Sequence, residues 1–134
     1  MVSVSEVQQD VSSAFLEVKS GAAKYLIAES GEDTIVKLSA KGGADATMED
    51  LRNDIAKDSP RFVIYNLKWD ADDGRKISKI VFIMWSPDAC TNVKDKMLYA
   101  SLKDSFRATC EPINKEYQVN DMLDLKDEEL IGEF

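Results

Sequence analysis

Histidine is absent from the chain. That one absence removes the commonest metal ligand, the commonest general base and the Ser-His-Asp triad together. Cysteine occurs twice, as Cys90 and Cys110. Two separated thiols cannot complete a four-ligand zinc site, and they fit a reduced intracellular protein better than a disulfide framework. The six glycines form neither a G-x-G-x-x-G motif nor a phosphate-binding P-loop. No stretch approaches the roughly 20 apolar residues of a membrane helix. The first residues lack the basic segment and apolar run of a leader peptide. Carboxylates are so abundant that no pair of them stands out as an acid/base dyad. These absences argue against an enzyme, and no metal or cofactor is expected.

What is present is a folded, acidic chain. Hydrophobic residues make up 44% of its 134 positions, enough for one domain with a real core. The net charge of −8 disfavours nucleic acid, which requires a basic footprint. The charge is unevenly spread. Residues 75–107 hold seven basic and three acidic side chains, a net +4; residues 111–134 hold two basic and eight acidic, a net −6. A basic patch on an acidic body suits an acidic protein partner.

Hydrophobic periodicity divides the chain into alternating elements. Val4, Val7, Val11, Ala14, Phe15 and Val18 recur at helical spacing, which predicts a helix over 5–19 with Ser3 or Ser5 as its cap. Residues 22–29 and 34–40 read as a hairpin. Gly42-Gly43 reads as the turn before a second helix, 48–57, capped by Thr47 with Met48, Leu51 and Ile55 inward. Two strands follow, 61–70 and 76–85, most simply antiparallel across the turn 71–74. The run 80–85 is apolar without alternation, so it is a central strand buried on both faces. A third helix is predicted over 92–110, an edge strand over 116–119, and a short final helix over 126–132 capped by Asp124. One mixed sheet of five or so strands with helices on both faces follows, an α/β (α+β) fold.

The stretch 79–106, KIVFIMWSPDACTNVKDKMLYASLKDSF, is the most informative. On its helix Leu98, Leu102 and Phe106 form the core stripe, while Lys96, Lys103 and Arg107 occupy another face. Met97 falls between the two, a polarizable side chain suited to insertion into an apolar cleft. Trp85, Pro87 and Asp88, followed by K-x-K-M-x-Y-A-S-x-K-D from Lys94 to Asp104, resemble the actin-depolymerising factor/cofilin family.

The resemblance implies a single actin-depolymerising-factor-homology domain over 1–134, a monomer that binds actin, phosphoinositide head groups being a further candidate ligand, in the cytoplasm, at the cytoskeleton, or in the nucleus. It assigns monomer binding to Ser3, Lys94, Lys96, Met97, Ser101 and Lys103, and regulatory phosphorylation to Ser3. It assigns filament contacts to Arg75, Lys76 and Lys79. Two alternatives remain open: a coactosin-like filament side-binder, and a module binding phosphoinositide head groups through the same lysines. The chain departs from the family at Leu102, where serine is usual, and at Cys90-Thr91-Asn92, where the family has Ala-Pro. Its acidic last residues, Glu128, Glu129 and Glu133, stand where the family is basic, so filament binding and severing are expected to be weak.

Overall fold

In the computed structural model, which describes residues 6–7, 9–31 and 35–132, the elements run in the order β1 (Glu6–Val7), α1 (Gln9–Ser20), β2 (Ala23–Glu29), β3 (Ile35–Gly43), α2 (Met48–Asp54), β4 (Arg61–Asp70), β5 (Lys76–Trp85), α3 (Val93–Thr109), β6 (Lys115–Val119) and α4 (Asp127–Ile131). The strands form one mixed sheet in the order β1-β3-β2-β4-β5-β6. The β2–β3 and β4–β5 pairings are antiparallel, as expected from their short turns, and β2 pairs antiparallel with β4 as well. The strand β6 returns parallel to β5, because α3 carries the chain back to the end of the sheet at which β5 began.

Strict alternation along the central strands builds two cores. Phe62, Ile64, Ile80, Phe82 and Met84 point to one face, where they meet Val11, Phe15 and Val18 of α1 and Tyr99, Leu102 and Phe106 of α3. Val63, Tyr65, Leu67, Val81, Ile83 and Trp85 point to the other, against Met48, Leu51, Ile55 and Leu130. With both faces covered, the strands read as continuous apolar runs.

Three boundaries differ from the sequence reading. The first helix starts at Gln9, since Glu6 and Val7 pair in parallel with Ile35 and Val36 at the sheet edge. The second helix stops at Asp54 and not at residue 57. Ile55 leaves the helix in an extended conformation, which lets its side chain bury, and Lys57 Nζ donates to the freed Arg52 carbonyl. At the end of the chain Asp121, not Asp124, is the capping residue: it accepts from Leu123 N at the single 3-10 turn Met122–Asp124. The helix α4 itself has no side-chain cap, but three acids in its first turn complement the helix dipole. Ser3, Ser5 and Glu133 lie outside the described residues.

Gly42-Gly43 is not a turn. Both residues end β3, and the turn follows at 44–45, closed by Ala46 N donating to Gly43 O at 2.9 Å. Gly42 is required for a different reason: the Tyr25 ring lies flat over it, and an added Cβ would meet Tyr25 Cε2 at 2.3 Å. Gly42→Ala is expected to lower the unfolding free energy by about 1–3 kcal/mol through overpacking. Gly43→Ala, with open space at the same atom, should change it far less. Urea denaturation of the pair decides; equal costs would show that the ring moves aside freely.

The buried phenols donate to carboxylates, Tyr25 to Asp54 and Tyr65 to Asp127. Burial and these carboxylates push both phenols well above the usual tyrosine range, and burial pushes the Cys110 thiol up to about 12. The native state therefore keeps protons that the unfolded chain releases once pH exceeds about 9–10. The stability contributed by each group is present below its unfolded pKa and is lost as pH rises toward the folded value. The unfolding free energy from urea denaturation is expected to stay level near neutral pH and then fall above about pH 9, by up to about 1.4 kcal/mol per pH unit per group, with the midpoint falling alongside. A midpoint unchanged to about pH 10.5 would contradict these assignments.

Candidate functional site

The helix α3 is presented by a well-anchored frame. Asn92 caps it, its side chain accepting from Asp95 N at 3.3 Å, and so replaces a first-turn proline. Tyr99, Leu102 and Phe106 face the sheet, with Leu98 partly buried beside them. Phe62 of β4 stacks on Phe106 at 4.8 Å and meets Tyr99 at 5.1 Å. The Tyr99 hydroxyl donates to Ser30 O and accepts from Ser30 N, which ties the helix to the end of β2. Leu102 is core, as its spacing to Leu98 and Phe106 predicts.

With that side buried, helical geometry decides what faces outward. Val93 and Met97, four residues apart, are 67% and 66% exposed. Lys94 lies on one flank of this ridge together with Ser101, and Lys96 lies on the other. Lys94 is exposed and Lys96 half-buried, and no ion pair to either is found among the described residues. Ser101 is exposed and donates to Leu98 O at 2.6 Å. The arrangement is an apolar ridge edged by free cations. It can enter a nonpolar cleft and pair with carboxylates at its rim. Val93 was missed in the sequence, although its spacing to Met97 and Ala100 was the available signal.

The remaining basic groups of α3 are engaged. Lys103 Nζ lies 2.9 Å from Glu116 Oε2, and Arg107 Nη1 lies 2.9 Å from Glu116 Oε1. Between α3 and β6 runs a groove of about 360 Å³, bordered by Met84, Ser86, Lys96, Lys103, Gln118 and Asn120.

The β4–β5 hairpin holds the second set of sequence candidates, away from α3. Arg75 pairs with Asp73 at 2.7 Å and Lys76 with Asp70 at 2.8 Å, both in solvent. Such exposed pairs contribute about 0–1 kcal/mol and yield readily to a partner. Lys79 is half-buried farther down β5. A larger cleft, about 690 Å³, lies where this hairpin passes the end of α1, lined by Lys19, Lys68, Trp69 and Lys76 among others. On the opposite face α4 is held by Tyr65 donating to Asp127 at 2.8 Å, by Tyr117 donating to Leu130 O at 2.6 Å, and by buried Leu130. Glu128 and Glu129 are exposed.

The chain resembles known proteins along most of its length. The family described as Cofilin/tropomyosin-type actin-binding protein matches residues 4–134. Actin-depolymerizing factor 8 of Arabidopsis thaliana is 38% identical over 86 residues, 64% of this chain and 61% of that protein. The matched segment therefore spans about three-fifths of that relative's length. Actin-depolymerizing factor 2 of the same plant is 33% identical over 86% of this chain and 83% of its own. The crystal structure of Streptomyces griseoflavus cofilin shares the fold with a TM-score of 0.87 at 25% identity, covering 97% of this chain and 96% of that one.

Proposed function

The chain belongs to the cofilin/tropomyosin-type actin-binding family, and on that premise we propose that it binds monomeric actin through α3 and promotes filament disassembly. The observation that supports this reading is the exposed Val93–Met97 ridge between Lys94 and Lys96. Actin monomers are the acidic, cleft-bearing partner that such a ridge fits. Tighter binding of the ADP-actin conformation draws the filament equilibrium toward monomers by mass action. A cytoplasmic, cytoskeleton-associated site of action follows from that partner.

Removing one side of a desolvated charge pair costs roughly 2–5 kcal/mol. The double variant Lys94→Ala/Lys96→Ala, folded by circular dichroism, should therefore bind labelled ADP-actin monomers at least about tenfold more weakly. Titration of ADP-actin and ATP-actin in parallel reads both the loss and the nucleotide preference. An affinity within about twofold of wild type would remove α3 from the reading.

Filament binding is proposed to be weak. The reason lies at α4, which turns Glu128 and Glu129 to solvent. An acidic filament protomer meets repulsion at that helix. Glu128→Arg/Glu129→Arg is expected to raise co-sedimentation with filaments and leave monomer affinity nearly unchanged. Frequent severing by the wild type in single-filament microscopy, at sub-stoichiometric occupancy, would overturn the role given to these acids.

A further inference from the structure

The basic residues of α3 divide into two pairs in different states. Lys94 and Lys96 in the first turn are without ion pairs among the described residues. Lys103 and Arg107, farther along, share one carboxylate. Lys96, Lys103 and Arg107 lie on the same flank of the helix, at spacings of seven and four. They would form one continuous basic stripe if nothing interrupted it.

Glu116 interrupts it, and strand register is the reason. In the parallel β5–β6 ladder Glu116 stands beside Phe82, whose side chain faces α3. Its neighbour Tyr117 stands beside Ile83 and belongs to the opposite core. A slip of one residue would therefore send Glu116 to the wrong face. In the observed register its two oxygens meet Lys103 and Arg107 at 2.9 Å each. The three side chains are only 28–41% exposed, so the pairs are better shielded from solvent than those at the hairpin tip. The Arg107 Nε is buried and without a hydrogen-bond partner. The guanidinium is thus drawn to β6 although one of its donors is left unsatisfied.

We propose that Glu116 is an internal competitor for the partner of α3. It occupies Lys103 and Arg107 as an acidic partner would, so recognition is confined to the first two turns of the helix. The proposal rests on reading α3 as the actin-docking helix. A carboxylate from a partner must share Lys103 with Glu116 or displace it, and a displaced Glu116 is left with one cation fewer on its partly buried carboxylate. Lys103 also borders the groove that contains Lys96. Released from Glu116, it would extend the positive edge of the ridge along that groove. Glu116 in this sense determines specificity: it lowers the pull of α3 on acidic surfaces in general and makes the Val93–Met97 ridge the deciding contact.

Glu116→Gln keeps the shape of the side chain and removes its charge. This variant should bind ADP-actin monomers at least about threefold more tightly, with a steeper loss of affinity as salt is raised. Adding Lys103→Gln and Arg107→Gln should bring affinity and salt dependence back to the wild-type values. In the wild type, those last two substitutions alone should weaken binding far less than Lys94→Ala/Lys96→Ala. Unchanged or weaker binding by Glu116→Gln would overturn the proposal and make the carboxylate a strut. A tenfold loss from Lys103→Gln/Arg107→Gln in the wild type would overturn it too, because these groups would then be contacts already. The clamp itself is read without actin, from the NMR signals of isotope-methylated lysines. The Lys103 signal should stand apart from those of Lys94 and Lys96 in the wild type and join them in Glu116→Gln. Coincident signals in the wild type would refute the clamp. If the clamp is seen and the wild type fails to bind actin, the actin reading of α3 fails, and the role of Glu116 toward that partner falls with it.

Discussion

Phe62 packed between Tyr99 and Phe106 is the contact on which the outer surface depends. A ring from the central sheet stacks on one aromatic of α3 and tilts against another, nearly two turns away. Burial of such rings stabilises by about 1.5–3 kcal/mol each, and aromatic pairing adds about 0.5–1.5 kcal/mol. More important than the energy is its direction. Two rings on one side of a helix fix its rotation about its own axis, and the Tyr99–Ser30 hydrogen bonds hold that rotation at one end. Once the rotation is set, Val93 and Met97 must face outward, and Lys94 and Lys96 must lie on either side of them. The exposure of two large apolar side chains is then a consequence of where the aromatic residues sit.

Charge is arranged on top of this packing. The chain is acidic, yet the free cations of α3 project from a surface that its own acids leave alone at one end and neutralise at the other. Glu116 is placed by the pairing of β6 with β5, so the charge state of the second half of α3 is a property of sheet register. The same logic applies on the opposite face. Tyr65 and Tyr117 hold α4 through a carboxylate and a carbonyl, leaving Glu128 and Glu129 free in solvent. Burial chiefly lowers the pKa of Lys24, whose ammonium lies over the Tyr65 ring, while Asp127 raises it.

Much was legible from residue order. The strands 61–70 and 76–85 were found to the residue, because a short turn joins two apolar runs and leaves antiparallel pairing as the simplest solution. Leu102 was assigned to the core by its spacing to Leu98 and Phe106, and it is buried. Thr47 was recognised as a cap because a short polar side chain before a helical pattern has one obvious use. Helix K-x-K-M chemistry was visible for the same local reason. The functional assignments of Lys94, Lys96, Met97, Ser101 and the hairpin cations remain proposals; the fold that presents them is shared with solved cofilins.

The sequence by itself determined what is local: which segments alternate, which residues can cap, and that histidine chemistry is excluded. Tertiary structure decided what depends on a distant neighbour. Valine at positions 4 and 7 fits a helical pattern, but residues 6 and 7 pair with β3, since an open sheet edge offers hydrogen bonds that periodicity does not reveal. Gly42 needs to be glycine because a ring from β2 crosses it, not because the chain turns there. Lys103 and Arg107 look like free cations in the sequence, and only the β5–β6 register brings Glu116 to them, from beyond the end of the helix. In each case the missing information was a partner supplied by the fold, which spacing along the chain cannot specify.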